Sequence, residues 1–287
     1  MPNLQFCDLK ESPGKRCQVS RPISVTLLAA GYGTRLRPYT NDWPKCLMPI
    51  NGKPLLEYWL ETVKQICAAN VLVNTHYLPD IVQSFIDRPV FKQWVKCVYE
   101  SELNGTAGTL RTNHSILQGS TVLLAHADNF CQCDFDDFVS FHENLRPKHC
   151  PITMLTFNTR APSTCGIVEL DDSGVVLGFH EKVENPPGHL ANGAVYLIEP
   201  EVLQWICDRP GITDFSTQVL PHFIGRIATW HNSGVHIDIG TIEALREAQS
   251  VVQYNDQTAG EKKDAWSLQF SNHPIHVQIK CGVSPQI

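Results

Sequence analysis

Short apolar segments alternate with helix-length amphipathic segments through the first half of the chain. The apolar segments predict buried strands at Ile23–Ala30, Val71–Thr75, Lys96–Tyr99, Val122–His126 and Ile152–Phe157. The segments between them predict helices at Leu55–Ala69, Leu78–Phe85, Thr109–Ile116 and Phe135–Leu145. Because this alternation is typical of βαβ crossovers, it predicts an α/β fold with a mostly parallel central sheet.

The second half of the chain has a different pattern, with strand segments that follow one another directly. It predicts strands at Gly166–Leu170, Val175–Glu181 and Ala194–Ile198, with Asp171–Gly174 as a turn. Helical patterns return at Pro200–Cys207, Ser216–Ile224 and Ile242–Val252. The pattern therefore predicts a smaller β-rich part after the main sheet.

Three regions follow from these patterns. Residues 1–21 are predicted to be an N-terminal extension, and they lack the apolar core of a signal peptide. Residues 22–252 are predicted to form the catalytic domain, and residues 253–287 a C-terminal tail. Apolar residues alternate within the tail at Ile275, Val277 and Ile279, which suits an edge strand or an oligomer contact.

Composition narrows the class of protein. Of the 287 residues, 43% are hydrophobic and 18% are charged, as is ordinary for globular proteins. The net charge of −6 argues against a general nucleic-acid surface, and no apolar run is long enough to predict a membrane span. The eleven cysteines are odd in number and irregularly spaced, which predicts reduced thiols in a cytoplasmic protein.

The first predicted strand runs into a glycine loop that carries positive charge. Gly31 and Gly33 allow close approach of a ligand, and exposed N–H groups in such a loop bind anions. Arg35 and Lys45 add cationic groups, so the loop predicts a polyphosphate site. Leu36 stands where a dinucleotide-binding loop has its third glycine, which disfavours a nicotinamide-dependent oxidoreductase.

The segments Gly31–Pro38 and Pro44–Pro49 together resemble the signature of the sugar-1-phosphate nucleotidyltransferases, which make nucleoside-diphosphate sugars. The resemblance extends over about Pro22–Val252 through further motifs in the same order. It implies a Rossmann-like three-layer α/β/α fold with a smaller β-rich sugar-binding part. The implied reaction joins a nucleoside triphosphate to a sugar 1-phosphate and releases pyrophosphate.

Two aspartates are candidate metal ligands. Asp128 follows the apolar strand that ends at His126, and Asp238 precedes a helix. A reaction between two anions needs cations, and Mg²⁺ prefers carboxylates together with phosphate oxygens and water. The resemblance implies that Asp128 and Asp238 hold Mg²⁺. The alternatives are an Asx-type turn at Asp128 and a supporting role for Asp238 in the loop before Thr241.

The resemblance also implies nucleotide-binding residues. Arg35 and Lys45 would bind the leaving pyrophosphate, and both would be catalytic together with Asp128 and Lys182. The loop Glu100–Gly108 would lie against the base, with free N–H donors at the helix start; an ordinary helix N-terminus is the alternative. Leu103 and Asn104 depart from the family pattern there. The full nucleotide-binding set is Leu28, Ala30, Gly31, Gly33, Thr34, Arg35, Lys45, Glu100, Gly105 and Thr106.

The β-rich part carries the implied sugar-phosphate site. Its residues are Gly166, Glu181, Lys182 and Asn192, with Thr241 from the segment after Asp238. By resemblance, Glu181 and Asn192 bind sugar hydroxyls and Lys182 binds the sugar phosphate. Considered alone, an adjacent Glu–Lys pair is more often a solvated surface pair.

Among the members of this family, the mannose- and heptose-1-phosphate guanylyltransferases are the most similar in the Gly105–Gly108 loop and in the residues around Asp128. GTP is therefore the first expectation, with dTTP, UTP and CTP left open. A non-catalytic regulatory subunit that binds a nucleotide sugar is the alternative from another class. A homodimer is compatible with the resemblance.

Overall fold

A nine-stranded sheet organises the described part of this computed structural model, residues 21–251 and 264–281. The strands are β1 (Ile23–Leu28), β2 (Pro49–Ile50), β3 (Lys53–Pro54), β4 (Asn70–Thr75), β5 (Val95–Tyr99), β6 (Thr121–His126), β7 (Asn129–Cys131), β8 (Ile152–Asn158), β9 (Gly166–Leu170), β10 (Val176–Glu181), β11 (Leu190–Ile198), β12 (Ile227–His231) and β13 (His236–Asp238). The α-helices are α1 (Leu55–Gln65), α2 (Pro79–Ile86), α3 (Thr106–Thr112), α4 (His114–Leu117), α5 (Phe135–Asn144), α6 (Pro200–Cys207), α7 (Ile242–Val251), α8 (Ala265–Ser271) and α9 (Ile275–Cys281).

The large sheet has the order β10-β9-β11-β6-β1-β4-β5, and β8 pairs with both β11 and β12. Strands β6, β1, β4 and β5 are mutually parallel, as βαβ crossovers require. Strand β11 runs antiparallel between β6 and β8, and β9 and β10 form a hairpin. Within this sheet β10 and β11 run against the other strands, so the prediction of a mostly parallel sheet is confirmed.

Two hydrophobic cores lie on opposite faces of the sheet. In β6, Leu123 and Ala125 pack into one core, whereas Val122 and Leu124 pack into the other. Successive residues of a strand point to opposite faces, so both faces of β6 are buried under helices. Helices α1, α2 and α5 contribute to the first core and α3 and α6 to the second. The predicted three-layer α/β/α architecture is confirmed.

The parallel strands bring their carboxyl ends to one edge of the sheet. β1 ends at Leu28, β4 at Thr75 and β6 at His126. The glycine loop follows β1, and Asp128 follows β6. Since ligands of open α/β sheets bind beyond this edge, the topology places the predicted phosphate loop and a predicted metal ligand side by side.

Most predicted elements are present with ends that differ by a few residues, but two differ in kind. The helix predicted at Ser216–Ile224 is a π-helical turn at Phe215–Val219 followed by a 3₁₀ turn at Leu220–Phe223. Asp214 caps the first turn through the Thr217 N–H, and Pro221 cannot donate a helical hydrogen bond.

The edge strand suggested for the C-terminal tail is wrong, because Ile275–Cys281 is helical. Ile275 and Ile279 are buried on one helix face, as their i,i+4 spacing allows, while Val277 is exposed. The rest of the tail, residues 253–263 and 282–287, and almost all of the N-terminal extension lie outside the described residues. In the described ranges no helix combines the length and apolar content that crossing a membrane requires.

Candidate active site

An ion cluster centred on Lys45 joins distant parts of the chain. Lys45 Nζ donates to Asp128 Oδ2 at 2.8 Å and to Asp238 Oδ1 at 2.9 Å. Arg35 Nη2 donates to Asp238 Oδ2 at 3.1 Å. The Lys45 side chain is only 7% exposed, whereas that of Arg35 is 64% exposed. Two cations and two carboxylates, predicted separately from sequence, therefore form one cluster.

The cluster favours the charged forms of Lys45 and Asp238. Burial would lower the pKa of Lys45, but Asp128 and Asp238 together raise that pKa above its ordinary value. Burial would raise the pKa of Asp238, but Lys45 and Arg35 hold the pKa of this carboxyl below its usual range. At neutral pH the site therefore contains a charged lysine and a charged Asp238.

A short strand pair brings the two aspartates together. β13 pairs antiparallel with β7, and Asp238 is the register partner of Asn129, the residue after Asp128. His126, at the end of β6, places its Nδ1 4.0 Å from Asp128 Oδ1. Asp128 and Asp238 are distant in sequence, so this pairing is what makes them neighbours.

The glycine loop closes over Lys45. Gly33 has φ +61°, and a Cβ there would lie 2.9 Å from Thr40 Cγ2 and 3.2 Å from Lys45 Cβ. A larger residue would therefore be strained and crowded at this position. Gly31 is exposed, with no atom within 4 Å of its Cβ position, so a ligand can reach the main chain there.

The charged groups line a cavity of about 150 Å³. Its lining consists of Gly33, Thr34, Arg35, Lys45, Asp128 and Gly240. A cavity of about 290 Å³ lies elsewhere, against α9, and its lining contains no carboxylate or arginine. The smaller cavity has the charges that phosphate and metal chemistry require, so we assign the candidate active site to it.

Glu100 lies beneath the predicted base-binding loop and holds it to the sheet. Its side chain accepts hydrogen bonds from Thr109 Oγ1 at 2.6 Å, Asn74 Nδ2 at 3.0 Å and the Asn104 N–H at 3.2 Å. Asn74 Oδ1 also accepts from the N–H of Ala29, the residue after β1. These bonds link the glycine loop to the Glu100 loop, and a contact of Glu100 with nucleotide stays a prediction.

The expectation of free N–H donors at the start of α3 is wrong. Ala107 and Gly108 donate their N–H groups to the carbonyl oxygen of Thr213, at 2.9 and 3.3 Å. Thr106 Oγ1 accepts from the N–H of Phe215 at 2.6 Å. Gly105 has φ +77°, and a Cβ there would collide with Thr213 O. The segment after α6 therefore occupies the donors that the sequence offered to a ligand.

Glu181 and Gly166 are directly opposed across the β9–β10 hairpin. A Cβ on Gly166 would lie 2.7 Å from Glu181 Oε2, so the glycine makes room for that carboxylate. Lys182 follows with φ +50° and a side chain 65% exposed, and its Nζ lies 3.3 Å from Glu181 Oε1. Left-handed backbone at a non-glycine residue is a form of strain that is common at functional sites.

Asn192 and Thr241 make local hydrogen bonds. Asn192 accepts from the N–H of Ala194 and donates to the Tyr196 hydroxyl at 2.6 Å, which fixes an irregularity in β11. Thr241 Oγ1 accepts from the N–H of Ala244 at the start of α7. Both residues therefore have structural partners, and their contacts with a sugar phosphate stay predictions.

The two aspartates fit a divalent metal ion. Their carboxylates already share one cation, the Lys45 ammonium, so they lie close enough to share another. Their side chains are partly exposed, which leaves room for water and phosphate oxygens. Oxygen donors of this kind suit Mg²⁺.

Two residues of the site were not predicted from sequence. Gly240 supports the Arg35 guanidinium, and a Cβ there would lie 2.6 Å from Arg35 Cζ. Asn74 is the polar centre of the bonds beneath both loops. A signal existed for Asn74, a polar residue within the apolar strand β4, but its partners come from other segments.

Comparison with known proteins gives consistent relatives. Residues 24–255 match the family model described as nucleotidyl transferase. The chain is 30% identical over 207 residues to the mannose-1-phosphate guanylyltransferase catalytic subunit beta of Drosophila pseudoobscura pseudoobscura, with 71% of this chain and 54% of the relative covered. The protein of the same name from Drosophila melanogaster is 29% identical over 253 residues, with 82% and 67% covered. The chain thus spans little more than half the length of the first relative.

Solved structures share the fold. HddC from Yersinia pseudotuberculosis, complexed with GMP-PN, superposes with a TM-score of 0.66 at 24% sequence identity. The match covers 79% of this chain and 98% of that chain. At this identity the similarity concerns the fold alone.

The contact between Gly240 and Arg35 can be tested with Gly240→Ala. Because the added methyl group meets the guanidinium at the far end of the Arg35 side chain, we expect the guanidinium to shift and the free energy of unfolding to change by less than ~0.5 kcal/mol. The displaced Arg35 should lose a charge-assisted contact with pyrophosphate of about 1.5–3 kcal/mol. Pyrophosphate binding should then weaken roughly tenfold or more. Isothermal titration calorimetry measures this affinity.

The matched control is Gly211→Ala, because no atom lies within 4 Å of that Cβ position. It should bind pyrophosphate as the wild type does. Equal affinity in wild type and Gly240→Ala would contradict a role for the positioned Arg35 in polyphosphate binding.

Proposed function

The chain belongs to the nucleotidyl transferase family, and from that premise we propose that it transfers a nucleoside monophosphate from a nucleoside triphosphate to a sugar 1-phosphate. The observation that carries the proposal is the ion cluster. In it Lys45 contacts Asp128 and Asp238, and Arg35 also contacts Asp238. It combines cations for a leaving pyrophosphate with carboxylates for a metal ion at the ligand-binding edge of the sheet.

GTP and mannose 1-phosphate are the proposed substrates. They are supported by the names of the curated relatives in two fly species, at 30% and 29% identity. A heptose 1-phosphate is the second choice of sugar, and dTTP, UTP and CTP are the other nucleotides to test.

In the proposed reaction a phosphate oxygen of the sugar 1-phosphate attacks the α-phosphorus of the triphosphate. The new P–O bond forms as the bond from the α-phosphorus to the bridging oxygen of the β-phosphate breaks, and pyrophosphate leaves with that electron pair. Arg35 and Lys45 bind the departing phosphates, where negative charge develops. Their fixed position costs little reorganisation, because Gly240 and the aspartates already hold them.

The nucleotide is proposed to lie along the glycine loop. The main chain at Leu28, Ala30 and Gly31 would face base and ribose, and Gly33 and Thr34 would face the phosphates. The exposure of Gly31 supports this proposal. The Glu100 loop, with Gly105 and Thr106, would flank the base, and the buried bonds of Glu100 support a positioning role for that side chain.

Asp128 and Asp238 would hold the divalent metal ion, which we propose to be Mg²⁺. When bound, the ion supplies positive charge that draws the phosphates together and stabilises the leaving group. The two carboxylates orient one another through the shared Lys45 contact and the β7–β13 pairing.

The sugar phosphate is proposed to bind between the cluster and the β9–β10 hairpin. Glu181 and Asn192 would bind hydroxyls, with the main chain of Gly166 beside them, and Lys182 would bind the phosphate. Thr241 would complete the site. The opposed pair of Gly166 and Glu181 supports this arrangement, since the lack of a side chain on Gly166 lets the Glu181 carboxylate lie against its main chain.

Pyrophosphate release tests the whole proposal. We expect release with Mg²⁺ when the four nucleoside triphosphates are crossed with hexose and heptose 1-phosphates, and we expect it to require GTP together with mannose 1-phosphate. Release from another pair would correct the substrates but keep the reaction. If every pair is silent while a nucleotide sugar binds tightly, the protein is a regulatory subunit.

The metal ligands can be tested with Asp128→Asn and Asp238→Asn. Each change removes negative charge that holds the metal, so we expect turnover to fall at least ~10²-fold. The control is Asp136→Asn, because Asp136 is an exposed aspartate of α5. Steady-state kinetics should show near-normal turnover for this variant. Near-normal rates in both site variants would refute the assignment.

The sugar-phosphate role of Lys182 can be tested with Lys182→Ala. Loss of the ammonium should raise KM for the sugar phosphate more than KM for the nucleotide, because only the former is proposed to contact it. Lys92→Ala, at another exposed lysine, serves as control. The reverse pattern of KM values would mean that the two subsites are exchanged.

A further inference from the structure

Trp43 precedes Pro44 and Lys45, and its side chain is buried against the C-terminal helices. Its ring centroid lies 4.2 Å from that of His273, 5.8 Å from Phe270 and 6.4 Å from Trp266. The indole N–H donates to the carbonyl oxygen of Leu47 at 2.8 Å. One ring therefore ties together the residues on both sides of Lys45 and packs them on α8 and its C-terminal end.

The C-terminal helices have their own attachment to the core. Arg88, 8% exposed, donates to Glu57 of α1 at 2.6 Å, to Asp264 at 2.8 Å and to Ser267 of α8 at 2.9 Å. Its guanidinium also lies 5.2 Å from the ring centroid of Trp266. Since α1 and Arg88 belong to the sheet-covering layer, α8 is positioned independently of the loop that carries Lys45.

Helix α9 contacts the same loop at a second place. The hydroxyl of Tyr39, a buried residue, donates to the carbonyl oxygen of Gln278 at 3.4 Å. Ile275 and Ile279 lie in the same hydrophobic core as Leu47 and Met48. Residues of the C-terminal helices α8 and α9 therefore contact the segment 39–48 both before and after Lys45.

We propose that residues 264–281 form a brace that positions Lys45 through Trp43. The brace lies beyond residue 255, where the family match ends. Trp43 is a positioning residue in this proposal, which rests on the proposed function because it assigns Lys45 to polyphosphate binding. Displacements of ~1 Å at a reacting site can cost ~10²-fold in rate, so packing around Lys45 has kinetic consequences.

Phe270→Ala tests the brace without changing the Lys45 loop. We expect affinity for inorganic pyrophosphate and kcat/KM for transfer each to fall at least fivefold in folded protein, because Trp43 loses its stacked partner. Phe223→Ala is the matched control: it removes a buried phenylalanine from the core on the other face of the sheet. The control should lose comparable stability in urea denaturation yet keep wild-type affinity. Phe270→Leu replaces the alanine variant if the latter does not fold.

A double-mutant cycle separates positioning from general destabilisation. In a Lys45→Ala background, where Arg35 still binds pyrophosphate, Phe270→Ala should have no further effect on affinity. The proposal would be wrong if Phe270→Ala bound pyrophosphate with wild-type affinity. It would also be wrong if Phe270→Ala lowered the affinity for pyrophosphate by the same factor in the wild-type and Lys45→Ala backgrounds. Pyrophosphate binding is measured without the transfer reaction, so this comparison tests the brace separately from the proposed function. The proposed function would be wrong if the wild-type protein binds pyrophosphate but releases none from any pair of substrates.

Discussion

The buried ammonium of Lys45 is the constraint on which the active site depends. A lysine taken out of water must be paired, or it loses its charge. Here the pairing comes from Asp128, which follows β6, and from Asp238, the last residue of β13. Arg35 reaches the same Asp238, and Gly240 leaves space for its guanidinium. The two cations and the two carboxylates therefore stabilise one another's charges.

Placing Lys45 requires the loop around it to be rigid, although loops are usually the mobile part of a fold. The loop is held by hydrogen bonds from the sheet side, where Thr40 donates to Gly33 and Tyr77 donates to Thr40. On the other side it is packed against aromatic rings of residues 264–281. A rigid support for a charged side chain is what a preorganised phosphate site needs, because reorganisation during the reaction is then small.

The β-rich part is built differently from the nucleotide side. Gly166, Glu181 and Asn192 lie on strands β9, β10 and β11, and Lys182 follows directly after β10. The backbone is left-handed at Lys182, directly after β10, and at Ala194 in β11, whose N–H donates to Asn192 Oδ1. The strand scaffold therefore holds Glu181 and Asn192 in place, whereas the Lys182 side chain is exposed.

The sequence by itself determined most elements of the main sheet and their order. Strand β1, the glycine loop, and Asp128 after β6 follow from short-range patterns, which local backbone and burial preferences enforce. Tertiary structure decided which groups meet. The contact of Lys45 with Asp238 depends on the β7–β13 pairing. The N–H groups at the start of α3, which were expected to bind a ligand, donate to the carbonyl oxygen of Thr213. The same alternation that suited an edge strand at Ile275–Ile279 became a helix packed on the core. Local patterns cannot decide such contacts, because their partners are distant in sequence and only the folded chain brings them together.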